Sequence, residues 1–288
     1  MLLVEVFKNQ PRTFSFEVFP AKTPEGHAKL LETLKGLCAL KPDFISCTYG
    51  AGGGSREKTL DIVEHIQKSY DIAAMAHLTC MAHTRDEIKN ILDDINRREI
   101  KNILAMRGDP PKDNSDWAPG PGNFHYSCEL VAFIRDYFGS DCSIGVAGFP
   151  EGHLLAPDRQ MDVQYLKEKF KSGADFVITQ LFFNNEDYFD YVRRLRDVGV
   201  DARVIPGVLP ITDYKALMRF CTVCGTTITP EVHSNFRPIA DDPIAMMDAG
   251  IDFAIRQCCS LLDGGAPGIH FYTLNKIHPI DTILKAVR

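Results

Sequence analysis

The stretch "AAMAHLTCMAHTRDEIKNILDDINRREIKNILAMRG", residues 73 to 108, passes from one periodicity to another and back again. Its opening, "AAMAHLTC" (73–80), is a short apolar run of strand length. "TRDEIKNILDDINRR" (84–98) then changes to a helical repeat. Ile88, Ile91, Leu92 and Ile95 fall on one face, and Thr84 and Glu87 have the spacing of a capping box. "NILAMRG" (102–108) returns to an apolar run. Strand, helix and strand in this order form a unit whose two strands lie parallel, joined by a right-handed crossover.

The same alternation extends in both directions. Strand candidates are "TFSFEVF" (13–19), "DFISCTY" (43–49), the two runs above, "SIGVAGFP" (143–150), "DFVITQLF" (175–182), "RVIPGV" (203–208) and "GIHFYTL" (268–274). Between them lie helical segments such as "SREKTLDIVEHIQKSY" (55–70), with Leu60, Val63 and Ile66 on its apolar face. Eight such units in about 250 residues is the arithmetic of a (β/α)8 TIM barrel of the α/β class. No linker-like break divides the chain, so a single domain over residues 1–288 is expected. The rival is an open doubly wound sheet. "GAGGGS" (50–55) resembles a dinucleotide-binding loop, but Ser55 stands where the third glycine belongs, and the loop follows the second strand instead of opening the chain. It reads as a flexible loop into a helix capped by Ser55. Residues 112–124, rich in Pro, Gly and Asp, read as a long mobile loop.

Composition narrows the function. A net charge of −6 without any Lys/Arg block argues against nucleic acid or an anionic membrane as the main partner. No apolar run is long enough to span a bilayer, and Glu5 and Lys8 interrupt the N-terminus too early for a signal peptide, so a cytoplasmic protein is expected. The nine cysteines are irregularly spaced and do not form a disulfide framework. Cys38, Cys47 and Cys80 sit in apolar surroundings, as a packed thiol does. Cys221 and Cys224 make one C-x-x-C, but the adjacent Cys258 and Cys259 are a poor second half-site, so no metal is expected.

Barrel enzymes work at the C-terminal ends of their strands. Here those ends carry Glu17, Thr48 with Tyr49, His77 with Thr79, Arg107-Gly108-Asp109, Glu151 with His153, Gln180, and Tyr272 with Asn275. Polar groups converging from seven strands describe a small-molecule site. Glu17 stands out among them. Read with a period of two, "TFSFEVFP" (13–20) puts Phe14, Phe16 and Val18 on one face and Ser15, Glu17 and Phe19 on the other. An unpartnered buried carboxylate costs several kcal/mol, so Glu17 must be paired, protonated or placed in a polar cavity.

The pieces "FSFEVFP", "SCTYGAGG", "HLTC", "MRGDPP", "GFPEGH", "ITQLFF" and "HFYTLNK", in order along nearly the whole chain, resemble the catalytic-domain motifs of the methylenetetrahydrofolate reductase family. That resemblance implies a flavin-dependent barrel of one-carbon metabolism, carrying FAD (with FMN as the alternative), that reduces 5,10-methylenetetrahydrofolate to 5-methyltetrahydrofolate. It implies that Glu17 is the general acid that opens the folate ring, kept protonated by an apolar environment that the Phe side chains supply. Asp109 resembles the family's acid beside flavin and pterin, where a carboxylate stabilises the developing substrate cation. Gln180 matches a substrate-contacting glutamine, and Phe220 an aromatic packed against pterin or nicotinamide. Thr48, His77, Arg107, Gly108, Asp109 and Tyr126 fall where relatives bind the flavin, as do His153, Asp162 and Lys169; Arg107 and Lys169 are the implied phosphate partners.

Three positions depart from the family pattern. Ala216 stands where a glutamine touching folate or nicotinamide is expected. Lys276 replaces the arginine that meets the folate glutamate tail, and Phe149 replaces a tyrosine. The change at Ala216 leads to an expectation of weak direct use of NADH, with electrons coming from NAD(P)H or from a partner redox subunit. A homo-oligomer or a complex subunit is expected. The chain stops soon after the eighth unit, so a regulatory domain responsive to S-adenosylmethionine is not expected. The competing reading is a flavin-free folate-binding barrel that serves as a subunit of a methyl-transfer complex.

Overall fold

The computed structural model describes residues 1–49, 56–109, 119–120 and 122–288, with Arg56 described by its backbone alone. The glycine-rich loop at 50–55, with its expected Ser55 cap, and most of the loop expected at 112–124 lie outside the described residues. Among the described residues, nine parallel strands form one sheet: β1 (Thr13–Val18), β2 (Phe44–Cys47), β3 (Ala73–Thr79), β4 (Asn102–Met106), β5 (Ser143–Gly148), β6 (Phe176–Thr179), β7 (Arg203–Ile205), β8 (Gly207–Val208) and β9 (Gly268–Tyr272). Each neighbour follows its predecessor in sequence except at one seam, where β1 pairs with β9.

That seam closes the barrel. The two ends of the strand order are β7 and β8, which are halves of the one predicted strand at 203–208. β7 pairs with β6 and β8 with β9, so a single run of chain bridges both edges of the sheet. Pro206 lies between the halves. It has no N–H to give to a ladder, but its carbonyl accepts from His270 N at 2.9 Å. Gly207 is required just after it, because a Cβ there would lie 2.4 Å from Thr179 O and 2.6 Å from the Tyr272 hydroxyl.

Helices cover the outside: α2 (Pro24–Ala39), α3 (Arg56–Tyr70), α4 (Arg85–Arg97), α5 (Ser127–Phe138), α6 (Arg159–Lys171), α7 (Asn185–Asp197), α8 (Tyr214–Cys224), α9 (Pro230–Phe236), α10 (Pro243–Asp263) and α11 (Ile280–Val287). The predicted face of α4 is the buried one, and its capping box forms, with Glu87 N donating to Thr84 Oγ1 at 3.2 Å and Thr84 N to Glu87 Oε2 at 2.7 Å. Strands β2 to β6 and β9 end one to three residues before their apolar runs do; of those last residues, Cys80 and Phe182 pack in the outer core under the helices.

An N-terminal helix, α1 (Leu3–Asn9), was not foreseen from sequence. Its N-cap, Leu2, makes no side-chain capping bond; the barrel supplies the partners instead. Leu3 N donates to Asn102 Oδ1 at 2.8 Å and Val4 N to Ser143 Oγ at 3.2 Å. Phe7 sits edge-on to Phe44 and Phe176, with its ring under the Arg203 guanidinium. The helix thereby plugs the N-terminal end of the barrel over a core of Phe44, Met75, Leu104, Phe176 and Ile205.

Candidate active site at the barrel mouth

Moving toward the C-terminal ends, the inward face of β2, β3, β6 and β9 turns from apolar or bare to polar. Phe44 gives way to Ser46 and Thr48, Met75 to His77, Phe176 to Gln180, and Gly268 to His270 and Tyr272. On β1 the inward residues are Ser15 and Glu17, while Phe14, Phe16 and Val18 join the outer core under the helices. This corrects one sequence expectation. The Phe residues of the first strand do not surround Glu17, because strand alternation sends them to the opposite face.

The neighbours of Glu17 are polar instead. Its side chain is 20% exposed, with Oε2 3.6 Å from His77 Nε2 and 3.9 Å from His270 Nε2. His77 is 4% exposed, and its Nε2 has no hydrogen-bond partner. Burial pulls the His77 imidazole down to about 4, against the attraction of the Glu17 charge, so this ring is neutral near pH 7. His270 is fully buried, with Nδ1 2.7 Å from Ser15 Oγ and Nε2 3.3 Å from Ser46 Oγ; it stacks on Phe44. Tyr272 donates its hydroxyl to Thr179 O at 2.5 Å, across the closing seam. Burial and then the Glu17 charge push its phenol well above the usual range.

A second group lies toward β4, β5 and α6. Arg107 Nε donates to His125 O at 3.2 Å. Gly108 has φ +82°, and a Cβ there would fall 2.8 Å from Thr79 Cβ, so the rim is bare backbone at this point. The Lys169 amine donates to Ala147 O at 3.1 Å; burial lowers its pKa, and Asp162 opposes that shift. Asp162 is buried and its carboxyl is raised by desolvation, with Lys169 as the opposing charge. His153 is lowered by burial and then by Lys169 and Arg107, with Asp109 acting the other way. Asp109 is exposed just beyond β4; its charge opposes the lowering of His153 and adds to the raising of Cys224, which Glu17 also raises.

The remaining predicted residues stand farther round the rim. Gln180 N donates to Gly148 O at 2.7 Å, and its side-chain oxygen accepts from Leu181 N. Thr48 follows β2, with its N–H on Val18 O. Phe220 on α8 is 36% exposed, Tyr126 is largely exposed at the start of α5, and Lys276 is exposed after β9 beside a shallow pocket lined by Thr212 and Tyr272. Ala216 lies in the first turn of α8, its N–H taken by Asp213. Cys221 and Cys224 end α8; burial pushes Cys221 up to about 11 and raises Cys224 as well. Sequence reading had not singled out Ser15, Ser46 or His270. His270 lay inside the quoted "HFYTLNK", and the period-two pattern of β9 was the signal that could have placed it inward.

The fold and the site together define a parallel (β/α)8 barrel with a carboxylate and imidazole cluster at its C-terminal mouth. The family profile of methylenetetrahydrofolate reductase matches residues 3–288, and the chain belongs to that family. It is 36% identical over 271 residues to methylenetetrahydrofolate reductase (NADH) 1 of Arabidopsis thaliana, covering 91% of this chain and 46% of that protein. It is 35% identical over 263 residues to the 5,10-methylenetetrahydrofolate reductases of Salmonella typhimurium and Escherichia coli, covering 86% of each. The chain thus spans about half the length of the plant relatives and most of the bacterial ones. Among solved structures, an uncharacterised protein from Clostridium thermocellum that binds two copies of 5-methyl-5,6,7,8-tetrahydrofolic acid shares the fold, with a TM-score of 0.64, 14% identity, and coverage of 99% of this chain and 96% of that one. No helix among the described residues is long and apolar enough to cross a membrane.

Proposed function

We propose that this chain reduces 5,10-methylenetetrahydrofolate to 5-methyltetrahydrofolate with a bound flavin, FAD or FMN, and that Glu17 is the acid that opens the folate ring. The observation that carries the reading is the place of Glu17. It is an inward carboxyl at the barrel mouth, partly open to the cavity and otherwise faced by two buried imidazoles. A carboxyl so placed is within reach of a substrate nitrogen in the cavity and can pass a proton to it. Protonating the folate nitrogen breaks the five-membered ring and leaves an iminium electrophile. Asp109, exposed just beyond β4, stabilises that cation, and Gln180 can both donate to and accept from a pterin edge.

The residues present fit a flavin. The orphaned Nε2 of His77 is a polar atom lacking a partner in the cavity wall, and at Gly108 the backbone packs so closely on Thr79 that no side chain projects there. Thr48, His77, Arg107, Gly108, Asp109, Tyr126, His153, Asp162 and Lys169 would hold it, with the Lys169 and Arg107 cations toward its phosphate. When bound, the flavin supplies the hydride that the methylene carbon receives. Electrons enter from NAD(P)H or a partner redox subunit, and Phe220 and Lys276 complete the folate site.

Purification followed by anaerobic photoreduction and mixing with methylenetetrahydrofolate tests this reading. A yellow protein whose reduced flavin is reoxidised with stoichiometric 5-methyltetrahydrofolate is expected. A colourless protein that binds folate would overturn it in favour of a flavin-free carrier.

A further inference from the structure

His77 on β3 and His270 on β9 face Glu17, and its charge also acts on Tyr272 on β9, Cys47 on β2 and Cys224 on α8. Tyr272 has committed its hydroxyl to Thr179 O, and Cys47 packs in the outer core. Of the two imidazoles, His77 leaves its Nε2 without a partner, whereas His270 is held at both nitrogens and against the Phe44 ring. Ser15, Ser46 and His270 are each fully buried. A chain of groups that ends in a buried hydroxyl cannot bring protons from water, so its role is to hold rather than to supply.

We propose that His270, fixed by Ser15, is a positioning residue for Glu17: the Ser15 hydroxyl donates to Nδ1, which leaves Nε2–H to donate to Ser46 Oγ, with Glu17 Oε2 3.9 Å from the same nitrogen. The immobilised imidazole edge is thereby the wall against which that carboxyl oxygen rests, and it limits how the carboxyl can turn toward the substrate. The effect on catalysis rests on the reading of Glu17 as the acid; the imidazole geometry does not.

Two measurements decide it. Nitrogen-15 NMR of the imidazole in the folate-free protein as purified should show the Nε2–H tautomer, and Ser15→Ala should convert it to a mixture; an Nδ1–H tautomer in the unsubstituted protein overturns the proposal. In stopped-flow, His270→Phe keeps the ring stack on Phe44 and should slow flavin reoxidation by methylenetetrahydrofolate roughly 10²-fold, the cost of a misplaced catalytic group. In a Glu17→Gln background the same change should cost no more than about twofold, because it acts through Glu17. Equal slowing in both backgrounds would show a merely structural residue and overturn the proposal, as would no slowing at all. If His270→Phe fails to fold, Ser15→Ala carries the same cycle, with a loss of about tenfold expected in place of 10²-fold. Should Glu17→Gln itself be reoxidised at the unsubstituted rate, the acid reading falls, and the tautomer measurement alone still tests how His270 is held.

Discussion

The two ends of the barrel are built by the same strands and could hardly differ more. At the N-terminal end the inward side chains are Phe44, Met75, Leu104 and Phe176, capped by α1. Asn102 there is fully paired, accepting from Leu3 N and donating to Met1 O and Ala74 O, and Arg203 donates through Nη2 to Pro267 O while its Nε has no partner. Two to four residues further along β2, β3 and β6, the inward positions are Ser46, His77 and Gln180, and the buried Nε2 of His77 has no partner. An unsatisfied buried polar group costs about 1–3 kcal/mol, so the mouth is maintained at a cost in stability that the plugged end offsets.

This contrast can be broken most forcefully at the plugged end. Phe176→Ala should destabilise the protein by about 3–5 kcal/mol in chemical denaturation, with little change in the rate of the folded fraction. A large loss of turnover per folded molecule would show that the two ends are not separable. His77 sharpens the contrast from the other side. Its folded pKa, about 4, lies below the ordinary 6.5, so the unfolded chain takes up a proton that the folded chain refuses. Stability should therefore fall as pH falls through the unfolded value, by roughly 2 kcal/mol from about pH 7 to about pH 5. His77→Gln should remove that slope, and an unchanged slope would mean that another group sets it.

Smaller effects follow at the rim. Asp109→Asn should retain flavin and slow folate reduction by about 10²-fold, as expected when a charge that stabilises the transition state is lost; unchanged turnover would remove Asp109 from the chemistry. Lys276 is exposed, so Lys276→Met should raise KM for the folate only a few-fold, the scale of an exposed charge pair, and leave kcat alone. A fall in kcat would place Lys276 closer to the reacting atoms than the proposed tail contact.

Much of this contrast is legible in the sequence because strands and helices differ in period. The α4 face and capping box, and the polar strand ends, follow from local pattern alone. What was not legible depended on partners distant in the chain. The helix α1 has no capping residue of its own because Asn102 and Ser143 cap it from the barrel. The break at Pro206 is set by closure, since β7 and β8 serve different neighbours. The surroundings of Glu17 were misread because the aromatics adjacent in sequence point to the other face, while His77 and His270 come from strands far along the chain.

The central claim is that the carboxyl of Glu17 delivers the proton, and Glu17→Gln tests it directly, since the amide keeps the shape but cannot act as the acid. Stopped-flow absorbance follows both half-reactions in one preparation, so loss of folding or of flavin is seen separately from loss of chemistry. Flavin binding and its reduction by the donor should survive, while reoxidation by methylenetetrahydrofolate falls by roughly 10²–10⁴-fold. Reoxidation at the unsubstituted rate would contradict the account, and Glu17 would then be a polar residue of the mouth with no part in proton delivery.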